Sequence, residues 1–289
     1  LGDELAITEV VKLAKNSNML MINENHYYPN HRLFVLTLLP QLRAIGYTHL
    51  ALEALAHPGD SLLNLPLTYP NLSTGFYTME QHYGNLLREA KKLGFQFVAY
   101  ENTDPEKDRE VGQVENLFNN TIGKDQNAKV IVVAGIDHIL EKPTSNGKKW
   151  MATLMKEKYQ IDPLTISQTH LNLYRSYSGF NYQLLAQDEF KGINPIPAVD
   201  YFILNNQTEL PKLWTNTYRY SNKYPQAVQV NLFYQKEIKR DFEYQSNIPY
   251  FSILLPAKEV VSLPFNANEQ TLMVVYDQLG TILEKRTIN

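Results

Sequence analysis

The 289-residue chain contains no cysteine. This absence excludes disulfide bonds, thiolate metal sites, iron–sulfur clusters and a cysteine nucleophile. No apolar run approaches the ~20 residues that span a bilayer. The sequence also lacks a Walker loop, a G-x-G-x-x-G loop, a G-x-S-x-G nucleophile elbow and an H-E-x-x-H helix. These missing motifs argue against P-loop ATPases, serine acyl-enzyme hydrolases and zincin proteases.

Neither sign of charge is in large excess, because the formal net charge is -3 and the pI is near 6.2. We therefore expect neither nucleic acid nor an anionic membrane as a partner. An apolar content of 44% is that of an ordinary globular protein. The chain begins at Leu1 instead of Met. We expect an extracytoplasmic protein whose leader or lipoprotein anchor has been removed.

The first 168 residues alternate between strand-like and helix-like patterns, which favours βαβ units and a mainly parallel sheet flanked by helices. Strands are predicted at 19–22, 49–53, 95–101, 129–135 and 163–168, and helices at 31–45, 78–93, 104–121 and 150–159. Beyond residue 200, short aromatic and β-branched runs indicate further strands. We predict an α/β domain over residues 1–210 and a small β-rich domain or sheet extension over 215–289.

Polar side chains follow each of the five predicted strands. They are Asn23, Glu24 and His26, then Glu53, then Tyr100 and Glu101, then His138, and finally Gln168. The carboxyl ends of parallel strands meet at one edge of the sheet, where ligands of open α/β folds bind. Each residue alone also fits a helix cap or an ion pair. Together, the clustered carboxylates and imidazoles predict a functional site.

The residue types leave two chemistries open. Neutral imidazole and carboxylate are ligands of Zn, Mn or Co, and such a metal lowers the pKa of its bound water towards ~7. Without a metal, a Glu–His pair can act as general base and proton shuttle. Arg109 can pair with a carboxylate or stabilise an oxyanion, although its acidic neighbours also fit a surface helix. His31 and Arg32 begin a helix and face either this site or solvent.

Four stretches of the chain resemble the superfamily that contains erythromycin esterase, the haem-binding ChaN lipoproteins and the Tiki/TraB proteins. They are INENHYYPNHR, LALEAL, FVAYENTDPEKDREVGQVENLFNN and VVAGIDH, between residues 22 and 138. The family pattern has Gly-Glu-x-His after the first strand, a strand-terminal Glu, an Arg-bearing helix and Gly-x-x-His. The resemblance covers residues 15 to 170 and is greatest to uncharacterised bacterial members. Asn23 stands where the family usually has Gly.

The resemblance implies a catalytic set at matching positions, namely Glu24, His26, Glu53, Arg109 and His138. We predict that Asn23, His31, Arg32, Tyr100, Glu101, Asn116 and Gln168 support this set or bind substrate. A metal would be held by His26, Glu53 and His138. We interpret His49, His57, His82 and His170 as structural. The family contains ester and peptide hydrolases, metal-dependent members and a haem-binding protein, so the resemblance leaves the reaction open.

We therefore predict a hydrolase, metal-assisted if Mn, Co or Zn is bound, that acts on a small-molecule or peptide substrate through an ester, amide or peptide bond. The first alternative is a protein that binds haem or another planar ligand in the same cleft, walled by Tyr27, Tyr28, Tyr77 and Tyr83. The second alternative is a cell-surface interaction module, in which the β-rich tail binds a partner or glycan and the site is vestigial.

Overall fold

The computed structural model describes residues 1–55, 59–190, 192, 196–238 and 246–288, so His57 lies outside the described residues. The helices are α1 Asp3–Ala14, α2 His31–Ala44, α3 Gly59–Asn64, α4 Gln81–Lys92, α5 Arg109–Asn120 and α6 Met151–Tyr159. The strands are β1 Met19–Glu24, β2 His49–Leu52, β3 Gln96–Ala99, β4 Val130–Gly135, β5 Leu164–Ser167, β6 Tyr182–Ala186, β7 Tyr201–Asn205, β8 Asn216–Ser221, β9 Val228–Tyr234, β10 Phe251–Leu255, β11 Val260–Phe265, β12 Thr271–Tyr276 and β13 Ile282–Ile288.

The predicted α/β fold class is confirmed. Seven strands form one sheet in the order β3-β2-β4-β1-β5-β7-β6, and only β6 runs antiparallel to its neighbour. Apolar residues of α1, α2 and α4 cover one face of this sheet, and those of α5 and α6 cover the other. None of the described helices is both long and apolar enough to cross a membrane.

The central strands are buried along their whole length. Every residue of β1 and of β4 is buried, because each strand has neighbours on both sides and helices over both faces. This position explains their nearly continuous apolar sequence. It also means that Asn23 and Glu24, the polar residues at the carboxyl end of β1, lie at the edge of the buried core.

The C-terminal strands form the β-rich part that the sequence predicts. They form a four-stranded antiparallel sheet in the order β10-β9-β12-β13 and a separate two-stranded ribbon of β8 and β11. Side chains of both, including Val230, Leu263 and Met273, form one buried cluster. The arrangement is that of a small sandwich, in which two sheets bury their apolar faces against each other. No observation tests the predicted boundary between residues 210 and 215.

Helix α4 joins the sheet domain to these strands. The Asn85 side chain donates to the backbone carbonyl of Tyr250 at 2.7 Å, and Gly84 packs so closely on Ile248 that a Cβ would lie 2.8 Å from its side chain. Arg88 makes a two-pronged ion pair with Glu237 at 2.9 Å for each contact, with both side chains nearly enclosed. The tail is therefore held by buried polar contacts.

Several predicted helix starts are wrong. Helix α4 begins at Gln81 with Glu80 as its N-cap, rather than at Thr78, because the Glu80 carboxylate accepts from the N–H groups of His82 and Tyr83. Helix α5 begins after Asp108, whose side chain caps the N–H of Val111. This start is four residues later than the predicted start at residue 104. Helix α1 and strand β13 were not predicted, and β7 belongs to the main sheet.

We predict that Arg88→Met lowers the free energy of unfolding by about 3 kcal/mol, because it leaves the buried Glu237 carboxylate without its cation. Thermal and urea denaturation followed by circular dichroism measure this loss. Lys12→Met is the matched control, since Lys12 pairs with Glu9 on the surface of α1. Equal stability of the two variants would contradict the role assigned to this contact.

Candidate active site

Three neighbouring strands deliver the central residues of the site at one level. Strands β1 and β4 are paired so that Glu24 lies opposite Gly135, and Glu53 directly follows β2, its N–H bonded to the carbonyl of Val133. His26 and His138 follow two and three residues beyond the ends of β1 and β4. Short turns after parallel strands therefore bring these side chains together.

The Glu53 carboxylate lies at the centre of the site. One oxygen is 2.7 Å from an Arg109 amino group and 3.5 Å from Nε2 of His138. The other accepts the Gly135 N–H and lies 3.8 Å from Nε2 of His26. Burial alone would raise the pKa of Glu53, but His138, Arg109 and the Gly135 N–H lower it to about 2. Glu53 is a permanent anion at neutral pH.

Each imidazole is held on its far side by a second carboxylate. Nδ1 of His26 is 2.9 Å from Glu24, and Nδ1 of His138 is 2.8 Å from Glu110. Both Nε2 atoms consequently face Glu53. Burial lowers the pKa of His138, but its two carboxylates outweigh that effect and raise it to about 9. His138 is an imidazolium at neutral pH, flanked by two anions.

Arg32 holds Glu24 from the buried side of the site. Its guanidinium is buried and contacts both oxygens of Glu24 at 3.0 Å, one oxygen of Glu80 at 2.9 Å and the backbone carbonyl of His26 at 3.1 Å. The ring of Tyr83 lies 4.6 Å from it. Burial raises the pKa of Glu24, whereas His26 and Arg32 lower it, so that the net direction is down. Arg32 therefore faces the protein interior, where it keeps Glu24 ionised.

Asn23 and Gln168 join the ends of β1, β4 and β5. The Asn23 amide donates to the Ile136 carbonyl and the Thr169 hydroxyl, both at 2.7 Å, and its oxygen accepts the N–H of Gln168. The Gln168 side chain donates in turn to the carbonyls of Asn23 and His31. Asn23 thus ties the turn that leads to His138 to the end of β5.

The other predicted supporting residues lie around this centre. Glu101 accepts from Arg109 and, at 2.9 Å, from Gln113. Asn116 donates to the carbonyl of Glu101 at 3.1 Å and so fixes the segment after β3. The Tyr100 hydroxyl donates to the Val133 carbonyl inside the core, away from the site opening. Glu101 and Asn116 support Arg109, whereas Tyr100 is a core residue.

His31 is also turned inward. Its Nδ1 accepts the N–H of Asn25 at 3.0 Å, and the side chain is buried. Burial lowers the pKa of His31 to about 4, so this imidazole is neutral under physiological conditions. His31 shapes the loop between β1 and α2, which carries His26, rather than facing solvent.

The sequence analysis did not place Glu110 or Glu80 in the site. Glu110 was grouped with the acidic surface neighbours of Arg109, yet it is buried and holds His138. A signal was present, because Glu110 lies three residues before Gln113 and seven before Leu117, on the buried face of α5. Glu80, which caps α4 and binds Arg32, carried no comparable signal.

Aromatic side chains close over both imidazoles. The Tyr77 ring stacks on His26 with its centroid 4.0 Å away, and Trp150 meets His138 edge-on at 5.3 Å. Lys148 covers the Trp150 ring at 3.5 Å from its centroid. Tyr83, predicted as part of a planar-ligand wall, is instead buried beneath Arg32. The opening of the site is therefore bounded by Tyr77 and Trp150.

The arrangement does not fit the predicted metal. Among the described residues, no group of three or more His, Asp or Glu side chains is placed to hold a metal ion. Both oxygens of Glu53 already bind other groups, Arg109 and the Gly135 N–H, and Nδ1 of each imidazole is held by a second carboxylate. Metal binding by His26, Glu53 and His138 stays a prediction without support from this geometry.

No protein-family model matches the chain, and a comparison with curated proteins finds no match either. Among solved structures, a bacterial protein toxin aligns with a TM-score of 0.42 and 14% identity, over 58% of this chain and 37% of that chain. The type III effector HopBA1 aligns with a TM-score of 0.39 and 16% identity, over 68% of this chain and 91% of the effector. ChaN of Campylobacter jejuni, described with cofacially bound haem, aligns with a TM-score of 0.37 and 9% identity, over 68% of this chain and 90% of ChaN.

The structural neighbours thus include ChaN alongside bacterial toxin and effector proteins. The chain spans little more than a third of the length of the toxin. Because these TM-scores and identities are low, the function proposed below rests on the geometry of the site.

We predict that stability falls as the pH rises from 6.5 to 9. The folded-state pKa of His138, about 9, exceeds its ordinary value of 6.5, so its ionic contacts stabilise the fold fully below pH 6.5 and are lost as pH passes 9. The loss is on the order of 2 kcal/mol. Urea denaturation at a series of pH values measures it.

In His138→Gln this decline should disappear, whereas His49→Gln should retain it, because His49 lies at the opposite edge of the sheet. A pH dependence that is unchanged in His138→Gln would show that another group titrates.

Proposed function

We propose that the chain is a hydrolase that cleaves an ester, amide or peptide bond without a metal. The observation that carries this proposal is the convergence of two carboxylate-anchored imidazoles on one ionised carboxylate, beside the half-exposed guanidinium of Arg109. In a purely structural network of buried ion pairs, we would expect all of these side chains to be enclosed. Here His26 and Arg109 reach solvent, with 20% and 51% of their side chains exposed.

In the proposed reaction, His26 is the general base. The Nδ1–H of His26 donates a hydrogen bond to the ionised Glu24, and this tautomer leaves a lone pair on Nε2. The 3.8 Å separation between this atom and Glu53 accommodates a water that donates to both. The water oxygen attacks the carbonyl carbon of the substrate and gives its proton to Nε2. Glu53, whose pKa of about 2 makes it a weak base, orients this water and stabilises the imidazolium.

The remaining two groups act on the rest of the tetrahedral intermediate. Arg109 stabilises the oxyanion, since its guanidinium is permanently charged and exposed at the mouth. His138, protonated at neutral pH, donates the Nε2 proton to the leaving oxygen or nitrogen. The Gly135 N–H holds Glu53 in place. A Cβ at Gly135 would lie 3.1 Å from Nε2 of His26 and 3.2 Å from Glu53, within the space the water needs.

The same geometry supports a wider assignment. We propose membership of the erythromycin esterase, ChaN and Tiki/TraB superfamily, because the five residues that the resemblance implies lie around one carboxylate. A small-molecule or peptide substrate and an extracytoplasmic location belong to this proposal.

We predict that His26→Gln and Glu53→Gln each reduce hydrolysis of p-nitrophenyl acetate or of a peptide anilide at least ~100-fold, because general base catalysis and water orientation are lost. Arg109→Gln should lower kcat more than it raises KM, since the oxyanion forms only in the transition state. Steady-state kinetics on freshly purified protein measure both effects.

The control is His49→Gln, which removes an imidazole at the amino-terminal end of β2, far from the carboxyl edge. Its activity should equal that of the parent protein. A parent protein that is folded but hydrolyses none of these substrates, or an activity that survives in His26→Gln, would contradict the proposed reaction.

We predict that hydrolysis persists after dialysis against a chelator. Elemental analysis by mass spectrometry of protein purified without nickel or chelators should find less than stoichiometric Mn, Co and Zn. Chelator-sensitive activity restored by one of these ions, together with metal that is lost in both His26→Ala and His138→Ala, would overturn the metal-free reaction in favour of the predicted metal site.

Binding of haem or another planar apolar ligand is the second candidate function. It is favoured by an exposed aromatic rim on the loops that follow β1, β2 and β5, which consists of Tyr27, Phe76, Tyr77, Tyr174 and Tyr177. Haem titration monitored at the Soret band tests it. A saturable shift that is weakened in Tyr27→Ala would support this candidate, and unchanged free-haem spectra would exclude it.

A further inference from the structure

A cleft of about 540 Å³ lies between the amino-terminal end of α4 and the outer face of the four-stranded tail sheet. Its walls contain three side-chain amides and one hydroxyl, those of Gln81, Gln229, Asn231 and Ser252. The hydrolytic site described above uses none of these side chains. The cleft is thus a second concave polar surface, built jointly by the α/β part and the tail.

The polar face of β9 is fixed by its strand periodicity. Gln229 and Asn231 alternate with Val228, Val230 and Leu232, whose side chains are buried in the sandwich core. Asn231 is paired with Ser252 of the edge strand β10. The side chains of Gln229 and Asn231 therefore point away from the core, towards the cleft.

These side chains hold one another in position. The Ser252 hydroxyl donates to Oδ1 of Asn231 at 2.7 Å, and the Gln229 amide donates to Asn231 at 3.2 Å and to the Ser252 hydroxyl. The N–H of Ser252 donates to Oε1 of Gln81 at 2.8 Å. Within the described part of the chain, Nδ2 of Asn231, Oε1 of Gln229 and Nε2 of Gln81 have no further hydrogen-bond partner. Both donors and acceptors thus remain available in a preorganised array.

The charge of the cleft argues against an anionic ligand, because no Lys or Arg is among its described lining residues. The carboxylate of Glu80 is already used to cap α4 and to bind Arg32, and His82 is paired with it. A hydroxyl group both donates and accepts a hydrogen bond, which matches the mixed amide array. Pro29, Met79 and Pro249 add apolar surface of the kind that packs against the C–H face of a sugar ring.

A peptide fits this surface less well. Extended peptides bind by adding a strand to a free sheet edge, and β10 is such an edge strand. However, the outward N–H of Ser252 is already bonded to Gln81, so α4 covers the edge at this point. We propose that the cleft binds a neutral saccharide through Gln81, Gln229, Asn231 and Ser252.

The cleft borders the candidate active site. Met79, in its wall, is two residues from Tyr77, which stacks on His26, and consecutive Cα atoms are ~3.8 Å apart. A saccharide that contacts Met79 therefore lies within a few residues' distance of Tyr77 and the mouth of the site. The binding itself does not depend on the proposed hydrolysis, and the test below does not measure catalysis.

Isothermal titration calorimetry of the full chain with chitotetraose and with maltotetraose tests the proposal. We expect saturable binding of at least one of them, weakened about fivefold or more in Asn231→Ala, because hydrogen bonds to the sugar are lost. Gln81→Ala provides a second variant if the first fails to fold. Asn216→Ala, at an exposed strand asparagine outside the cleft, is the matched control and should bind like the parent.

Three outcomes would overturn the proposal. The parent protein could bind neither oligosaccharide, or Asn231→Ala, Gln81→Ala and Asn216→Ala could all bind the sugar equally well. Tetra-alanine amide, titrated in parallel, could bind instead and lose affinity in Asn231→Ala, in which case the cleft is a peptide site.

Discussion

The buried negative charge of Glu53 is the constraint on which the site depends. A carboxylate at this depth stays ionised only if its oxygens are compensated, and His138, Arg109 and the Gly135 N–H provide that compensation. The close approach of His26 and Glu53 to this position explains why β4 ends in glycine, since a Cβ there would lie 3.1 Å from Nε2 of His26 and 3.2 Å from Glu53. Strand ends, turn residues and α5 are all arranged around this one anion.

The compensation continues outward in alternating charges. His138 needs Glu110 on its other side, and His26 needs Glu24, which needs the buried Arg32 and through it Glu80. Burying any one of these groups alone would be costly, so each is retained only with its partner. The groups therefore depend on one another, and removal of Arg32 would leave the buried Glu24 carboxylate without its cation. The shifted pKa values of Glu53 and His138 occur beside the solvent-exposed side chains of His26 and Arg109, which favours chemistry over a purely structural role.

Much of this arrangement could be predicted from local pattern. The buried strands and their polar ends are visible in residues 19–26 and 130–138, because parallel strands must be apolar and must end at a common edge. Glu110 had a periodic signal in its spacing from Gln113 and Leu117, but that signal depends on the phase of α5, which begins after Asp108 and not at residue 104 as predicted. The position of Arg32 had no such signal. The inward direction of Arg32 depends on Glu80, which is 48 residues away in the chain. Contacts of this kind depend on tertiary packing and leave no periodic signal in the sequence.

The central claim is that both imidazoles are anchored through Nδ1 and that His138 is doubly protonated. Nitrogen-15 NMR of selectively labelled histidine, assigned with His26→Gln and His138→Gln, reads the protonation of each ring nitrogen directly. The structure predicts a His138 signal with protons on both nitrogens at pH 7 that titrates near pH 9, and loses this behaviour in Glu110→Gln. A neutral His138 at pH 7 in the folded protein, with a titration unaffected by Glu110→Gln, would contradict the proposed charge arrangement around Glu53.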